Sequence, residues 1–377
     1  MSLAPFARLF YCSFSEDGLG SAGRQRIFAA ILLGALAFCG AKRASAGQPE
    51  FARMSDARQA TRLSGQAAGK DAAGKTVIDE TGRRVTVPAD VKRIVTLSPD
   101  QTETIYALGL GEQLAGDTDD CDMPPAAKEK PHVGGEINPS LEAILGLHPD
   151  LVLATVSINR RETVDALRHL GIAVYTSDPH TVRGTLEAIA RVAEVAGAGT
   201  RGTDLVARLQ ARLDALHVML ADSPLVHVLF VVQEDPLISI GQNTFIADAL
   251  RWAGGESVIL TDQNWPRLGL EEVVRLQPDY ILLAGAHLKA EGVGETDFRS
   301  RSGWKDLRAV ERGHVAVISE GVDRPSPALI DAIEEIAHVL HPEAFKDKSE
   351  NGKVKTENGL RLHATVPMPE ELSPCAR

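Results

Sequence analysis

Four aspartates fall between residues 117 and 122, with Cys121 among them and Met123 directly after. Side chains of these types, this close together, suggest three chemistries. A run of carboxylates resembles a calcium loop, but the glycine required at the sixth position is absent and the twelfth is Lys128 instead of a bidentate glutamate. A thiolate beside a thioether would suit a soft metal. The nearest histidine along the chain is His132, however, and a small cysteine buried in the base of the loop accounts for Cys121 more simply. Asp119 and Asp120 could serve as general acid and base, but nothing in the sequence fixes a partner for either. Gly69 to Thr76 reads GKDAAGKT and spells a phosphate loop, yet a polar stretch precedes it and a strand follows. That motif needs a buried strand before it and a helix after it. GxSxG, HExxH and a GxGxxG after a strand are absent. These residues point to recognition and not to turnover, and neither a resident cofactor nor a metal site is expected.

The elements that must hold such loops can be read around them. The β-branched run Ile94 to Leu97 breaks at Ser98-Pro99, and Thr102 or Gln101 can cap a helix carrying Ile105, Leu108 and Leu110, ended by Gly109 and Gly111. A strand at 113–116 then runs into the acidic loop. In an open α/β sheet, loops at the carboxyl ends of the strands face the ligand crevice. Helix 140–146, strand 151–154, helix 160–169 and strand 172–175 continue the pattern. Next, Leu205, Leu209, Leu213, Leu216 and Leu220 recur at helical spacing, with no Pro or Gly from Thr203 to Ser223. That predicts a helix of about five turns, ~30 Å long. A second α/β stretch follows, with strands at 226–232, 257–259, 280–284 and 315–318 and helices at 245–253, 270–276, 304–308 and 326–340. The expected fold class is α/β: two Rossmann-like lobes joined by a single long backbone α-helix. The expected boundaries are a signal peptide at 1–46, a flexible tether at 47–75, an amino-terminal lobe at 76–180, the backbone helix at 181–222, a carboxyl-terminal lobe at 223–342 and a disordered tail at 343–377.

The lobes share a local echo. Asn138 to Ala154 and Leu268 to Ala284 each read as a capped helix, a Pro-Asp turn and a buried strand. Each puts a glutamate, Glu142 or Glu271, in the first helical turn, where the helix dipole favours negative charge.

Arg24 and Arg26 precede the apolar run Ile27 to Cys39, and Ala44-Ser45-Ala46 follows, so residues 1–46 read as a signal peptide cleaved near Ala46. Cys39, at the end of the apolar run, raises lipidation as the alternative, which Phe38 disfavours. Export follows either way. Loss of this segment removes five Lys/Arg and two Asp/Glu and moves the net charge from −11 to −14. An acidic surface disfavours nucleic acid as a partner. Beyond the segment only Cys121 and Cys375 remain, and a disulfide between them would need an oxidising compartment.

Val77 to Pro88 (VIDETGRRVTVP), Arg93 to Thr104 (RIVTLSPDQTET), Asp119 to Pro125 (DDCDMPP), the two Leu-Glu/Pro-Asp units and Asp323 to Pro327 (DRPSP) together resemble the periplasmic binding proteins of ABC importers for metal chelates, the class with a single helical backbone. The Asp122 to Pro125 element and Asn264 to Glu271 (NWPRLGLE) make the chain most similar to the cobalamin-binding receptors among them. The resemblance implies a monomeric protein that captures a corrinoid between its lobes and hands it to an ABC permease dimer, with little lobe closure because a continuous helix resists bending. It implies that Glu142 and Glu271 dock into arginine pockets of the permease through charge-assisted hydrogen bonds, and that Trp265 packs against the corrin ring. Asp122 and Met123 fall where such receptors often carry Tyr, and Glu136 lies in a stretch (HVGGE) where they tend to carry an aromatic. Ser98, Pro99, Gln233, Asp323 and Arg324 complete the ligand-facing set. A ferric siderophore or haem receptor is the alternative within the class, and a chelatase-like tetrapyrrole enzyme the alternative outside it.

Overall fold

The computed structural model describes residues 74–285 and 302–346. The expected signal peptide, nearly all of the tether and the tail beyond residue 346 lie outside the described residues, as does Cys375. The described chain begins with an antiparallel hairpin, β1 (Lys75–Ile78) and β2 (Arg84–Val87), turned at Gly82 with φ of 80°. Asp79 organises the turn. Its Oδ1 accepts from the backbone amides of Thr81 and Arg83 at 3.0 and 2.9 Å, and its Oδ2 accepts from Arg168 at 2.5 Å, which pins the hairpin to the lobe behind it.

The amino-terminal lobe is a parallel sheet of β3 (Ile94–Thr96), β4 (Leu114–Gly116), β5 (Leu151–Thr155) and β6 (Val174–Ser177), in the order β4-β3-β5-β6. Helix α1 (Pro99–Ala107) follows β3, α2 (Leu141–Gly146) precedes β5 and α3 (Arg161–His169) joins β5 to β6. α1 is capped three residues before Gln101 and four before Thr102, the caps expected. Ser98 is its N-cap and Pro99 its first residue, because proline's fixed φ and missing N–H suit a first helical turn.

Residues 181–222, expected as one backbone helix, form two: α4 (Val182–Val195) and α5 (Gly199–Met219), separated by a turn in which Gly197 adopts φ of 78°. The 21-residue α5 is the uninterrupted rod that the leucine spacing predicts, and α4 folds back along it. Both touch each lobe. Arg201 at the start of α5 donates to the Gly109 carbonyl of the first lobe at 2.9 Å.

The second lobe consists of β7 (Val226–Glu234), β8 (Leu237–Ser239), β9 (Gly255–Ser257), β10 (Tyr280–Ala284) and β11 (Val315–Ile318), with helices α6 (Phe245–Trp252), α7 (Leu270–Leu276), α8 (Arg308–Arg312) and α9 (Ala328–Leu340). Arg212 of α5 pairs with Glu334 and Asp331 of α9 at 2.7 and 2.6 Å, and Asp248 of α6 accepts from the amide of Val182 at the start of α4 at 2.8 Å. β9 begins two residues earlier than expected. α8 begins four residues later, behind a turn that includes Gly303 at φ of 85°. The three-residue β8, too short to show a period, pairs antiparallel with the end of β7.

The parallel strands of this lobe lie in the order β9-β7-β10-β11. Counted along the chain, both lobes therefore run second, first, third, fourth. The echo extends to single hydrogen bonds. Asp150 donates its amide to Arg93 O at 2.8 Å and accepts from Arg93 N at 3.0 Å; Asp279 does the same with His227, at 2.8 and 3.3 Å. His148 and Gln277, each just before the proline of a Pro-Asp turn, both adopt φ of 47°. One apolar core spans both lobes and the helices between them, from Ile94 and Leu153 through Leu186, Leu205 and Leu213 to Phe230 and Ile333, and each lobe has a smaller separate cluster besides.

The packing of α4 on α5 sets up a test. A Cβ placed on Gly202 would lie 2.3 Å from the Cβ of Ala193. An exposed helical Gly→Ala change stabilises by about 1 kcal/mol. Gly202→Ala is expected to do the reverse and cost about 1–3 kcal/mol in urea unfolding, because the two helices must part to admit the methyl group.

Candidate functional site at the meeting of the strand ends

The carboxyl ends of β3 and β11 meet where the lobes face one another. On the first lobe, Asn159, just after β5, stitches three segments. Its Oδ1 accepts from Thr155 N at 2.8 Å, and its Nδ2 donates to Leu97 O at 2.7 Å and to Glu136 O at 2.9 Å. Glu136 is thereby held at the point between β3 and β5 where the strand order reverses, the usual place for a ligand in an open sheet. The acidic loop is fixed from below. Thr96 and Thr102 share a 2.6 Å hydrogen bond, and the Cys121 sulfur lies 3.1 Å from the Thr102 hydroxyl and 3.2 Å from that of Thr118. Cys121 is a free thiol, buried in the loop base, and burial pushes its pKa up to about 11. Asp117, wholly buried, pairs with His132 at 2.7 Å and closes the loop's other end.

The second lobe contributes Arg324. Its guanidinium reaches across to Glu103 of α1 at 2.6 Å and to Asp122 at 3.2 Å, and back to Glu320 at 3.2 Å. Ser326 adds a 2.5 Å hydrogen bond to the other oxygen of Glu103. Burial works against charge on Arg324, but the carboxylates of Glu103, Asp122 and Glu320 outweigh it and hold the guanidinium protonated. One cation thus pairs with three anions, and its charge offsets the burial of Glu136 and Asp323 only in part. Burial, with the charges of Asp120 and Asp100 added, raises Glu136 to about 7. Burial also raises Asp323 to about 7 and Asp100 to about 6. These groups carry protons to a degree that an exposed carboxylate does not. Among the described residues, no group of three or more His, Cys, Asp or Glu side chains is arranged to hold a metal ion.

The structure gathers part of the sequence-predicted set. Ser98 and Pro99 begin α1, beside Asp100; Asp122, Asp323 and Arg324 belong to the charge cluster; Glu136 is buried against it; and Met123 is exposed next to Asp122. Gln233 and Trp265 sit on the β8 side of the second lobe. Gln233 is buried at the end of β7 and donates to Asp235 O at 2.9 Å. Trp265 is half-buried and packs partly against the core, in a loop tied to β8 by Ser239 N to Pro266 O at 3.1 Å and Gly241 N to Asn264 O at 2.9 Å. Glu142 and Glu271 are exposed, each the second residue of its helix, α2 or α7. Sequence reasoning missed Glu103, Ser326, Asp100, Gln101, Glu320 and Asn159. The one available signal was a glutamate in the otherwise weakly charged helix α1.

The cross-lobe pair gives an expected outcome. Arg324→Met leaves Glu103 buried without its cation and should cost about 3–5 kcal/mol, as should Glu103→Met, whereas the double variant should cost far less than the sum. Urea unfolding of the four proteins measures this, and additive costs would mean that the pair is not coupled.

Residues 94–321 match the family described as periplasmic binding protein. The uncharacterized ABC transporter substrate-binding lipoprotein YvrC of Bacillus subtilis is 29% identical over 86% of this chain and 99% of its own. Among solved structures, the periplasmic vitamin B12-binding protein BtuF of Vibrio cholerae superposes with a TM-score of 0.59 at 26% identity, over 68% of this chain and 99% of BtuF. The periplasmic heme-binding protein RhuT of Roseiflexus sp. RS-1 superposes with a TM-score of 0.61 at 26% identity, over 67% and 99%. The fold of this chain is thus shared with these periplasmic binding proteins. The chain belongs to the periplasmic binding protein family, as a substrate-binding protein of an ABC transporter.

Proposed function

We propose that this protein is exported, captures a corrinoid between its lobes and delivers it to an ABC permease. The supporting observation is the likeness to BtuF along that protein's whole length, joined to a cluster of carboxyls gathered around Arg324 where the lobes meet. A corrinoid presents a flat apolar body edged with amide donors, so carboxyls at the cleft floor and Trp265 and Met123 at its sides offer suitable partners. Ser98, Pro99, Gln233, Asp323 and Arg324 supply the remaining polar contacts. Binding and release, without chemistry on the ligand, are the whole of the mechanism. Titration of the purified mature protein with cobalamin or cobinamide in a calorimeter should give saturable one-to-one binding. Absence of both heat and thermal shift would remove corrinoids as the ligand.

The likeness to RhuT supports a second reading, haem. That ligand commonly takes a Tyr or His on its iron, and the segments 98–103, 119–123, 134–136, 263–267 and 320–326 contain neither. A spectral titration with haem separates the two.

Docking rests on Glu142 and Glu271. They occupy the same place in the two lobes, at the second residue of the helix before the third parallel strand, and both are exposed. Matched carboxylates on a braced frame can engage both subunits of a two-fold permease at once. Glu142→Lys with Glu271→Lys is expected to abolish uptake in cells while leaving ligand affinity unchanged; normal uptake would reject the assignment.

A further inference from the structure

The place where the lobes meet carries more acceptors than the protein itself satisfies. Glu136 is 4% exposed, and its carboxyl has no hydrogen-bond donor among the described residues. Both hydrogen bonds that position this residue use its backbone: its N–H donates to Asp120 Oδ2 at 3.1 Å, and its carbonyl accepts from Asn159. The side chain is left over, facing Asp100 and Asp120. Asp100 is 1% exposed and Gln101 4%, yet Asp100 Oδ1 and Gln101 Oε1 have no donor either. The Gln101 amide is spent on Asp100 Oδ2 at 2.9 Å, and the Ser98 hydroxyl, itself otherwise unpartnered, lies close enough to the Asp100 carboxyl to favour its charged form. The cation in reach, Arg324, is already shared among Glu103, Asp122 and Glu320. Asp100 Oδ1 and Gln101 Oε1 are buried acceptors left unpaired, and such atoms cost free energy that a donor brought by a ligand would restore.

We infer that Asp100, Gln101 and Glu136 form a donor-reading subsite, which selects a ligand that turns amide or ammonium groups toward it and rejects one that turns carboxylates toward it. The inference rests on the reading of the cleft as the ligand site, but not on the ligand being a corrin. Glu136 is the specificity-determining residue, because its backbone is clamped by Asn159 and Asp120 while its carboxyl is unspent. A ligand carboxylate placed here would meet two acids and find no free cation. That juxtaposition is strongly disfavoured in a desolvated site. Burial is the first cause of the raised proton affinities of Glu136 and Asp100, and neighbouring carboxylates add to it.

The test uses two matched pairs of probes near neutral pH. One pair is dicyanocobinamide and a corrinoid whose side-chain amides have been hydrolysed to carboxylic acids. The other is haem with its propionates converted to amides, and unmodified haem. The amide member of whichever pair binds should bind about 100-fold more tightly than its acid partner. Glu136→Gln, which keeps the shape and removes the acid, should shrink that ratio about tenfold, and Asp100→Asn should shrink it in the same direction if Glu136→Gln fails to fold. An acid member bound as tightly as its amide partner overturns the inference and leaves a corrinoid function standing. A corrin pair that does not bind, beside a haem diamide that outcompetes haem, removes the corrinoid reading and supports the inference. An unchanged ratio in both variants overturns it, and binding of no probe at all overturns both.

Discussion

Arg324 carries a charge out of one lobe and into the carboxylates of the other. Removing a guanidinium and a carboxylate from water costs several kcal/mol per ion, and their attraction repays this only where the geometry is good and the remaining hydrogen bonds are met. Here both conditions hold: Glu103 takes Arg324 on one oxygen and Ser326 on the other. Such a pair adds little net stability but is expensive to separate, so it fixes position. It sets how far the loop after β11 stands from the start of α1, and therefore the width of the cleft floor. Asp122 is more exposed than Glu103 and more weakly held, at 3.2 Å.

The rest of the frame makes that spacing repeatable. The lobes have the same strand order, the same Asp-to-backbone clamp at the start of the third strand and the same left-handed residue before the Pro-Asp turn. A non-glycine residue in that conformation costs about 1 kcal/mol or more, so its presence at His148 and Gln277 marks a turn the fold needs twice. The two helices between the lobes bury one continuous core with both. Hinge motion would have to break apolar packing and not merely swing a loop.

Much of this was legible in the sequence. α7, β10 and β11 fall on the expected residues because their surroundings punctuate them: Gly269 before α7, Pro278 before β10 and Gly313 before β11. The β1–β2 hairpin was readable from two β-branched runs around Thr81-Gly82. The helix pair was half legible: leucine spacing marks α5, but Gly197 and the close approach at Gly202, which fold α4 back on it, carry no periodic signal. The site was least legible. Glu103 and Arg324 are 221 residues apart, and no local pattern joins them. Glu136, in a glycine-rich polar stretch, has the sequence surroundings of a solvated loop residue, yet Asn159 draws it inside. Trp265 reads as an exposed aromatic, but pairing of its loop with β8 covers part of it.

The position-fixing role of Arg324 can be measured directly by placing spin labels at Glu162 and Arg312, exposed residues on opposite lobes, and recording their distance distribution without ligand. A single narrow distribution is expected for the unaltered protein, broadening toward longer distances in Arg324→Gln. A distribution already broad before the substitution, or one unchanged after it, would contradict the view that this cation holds the lobes in place.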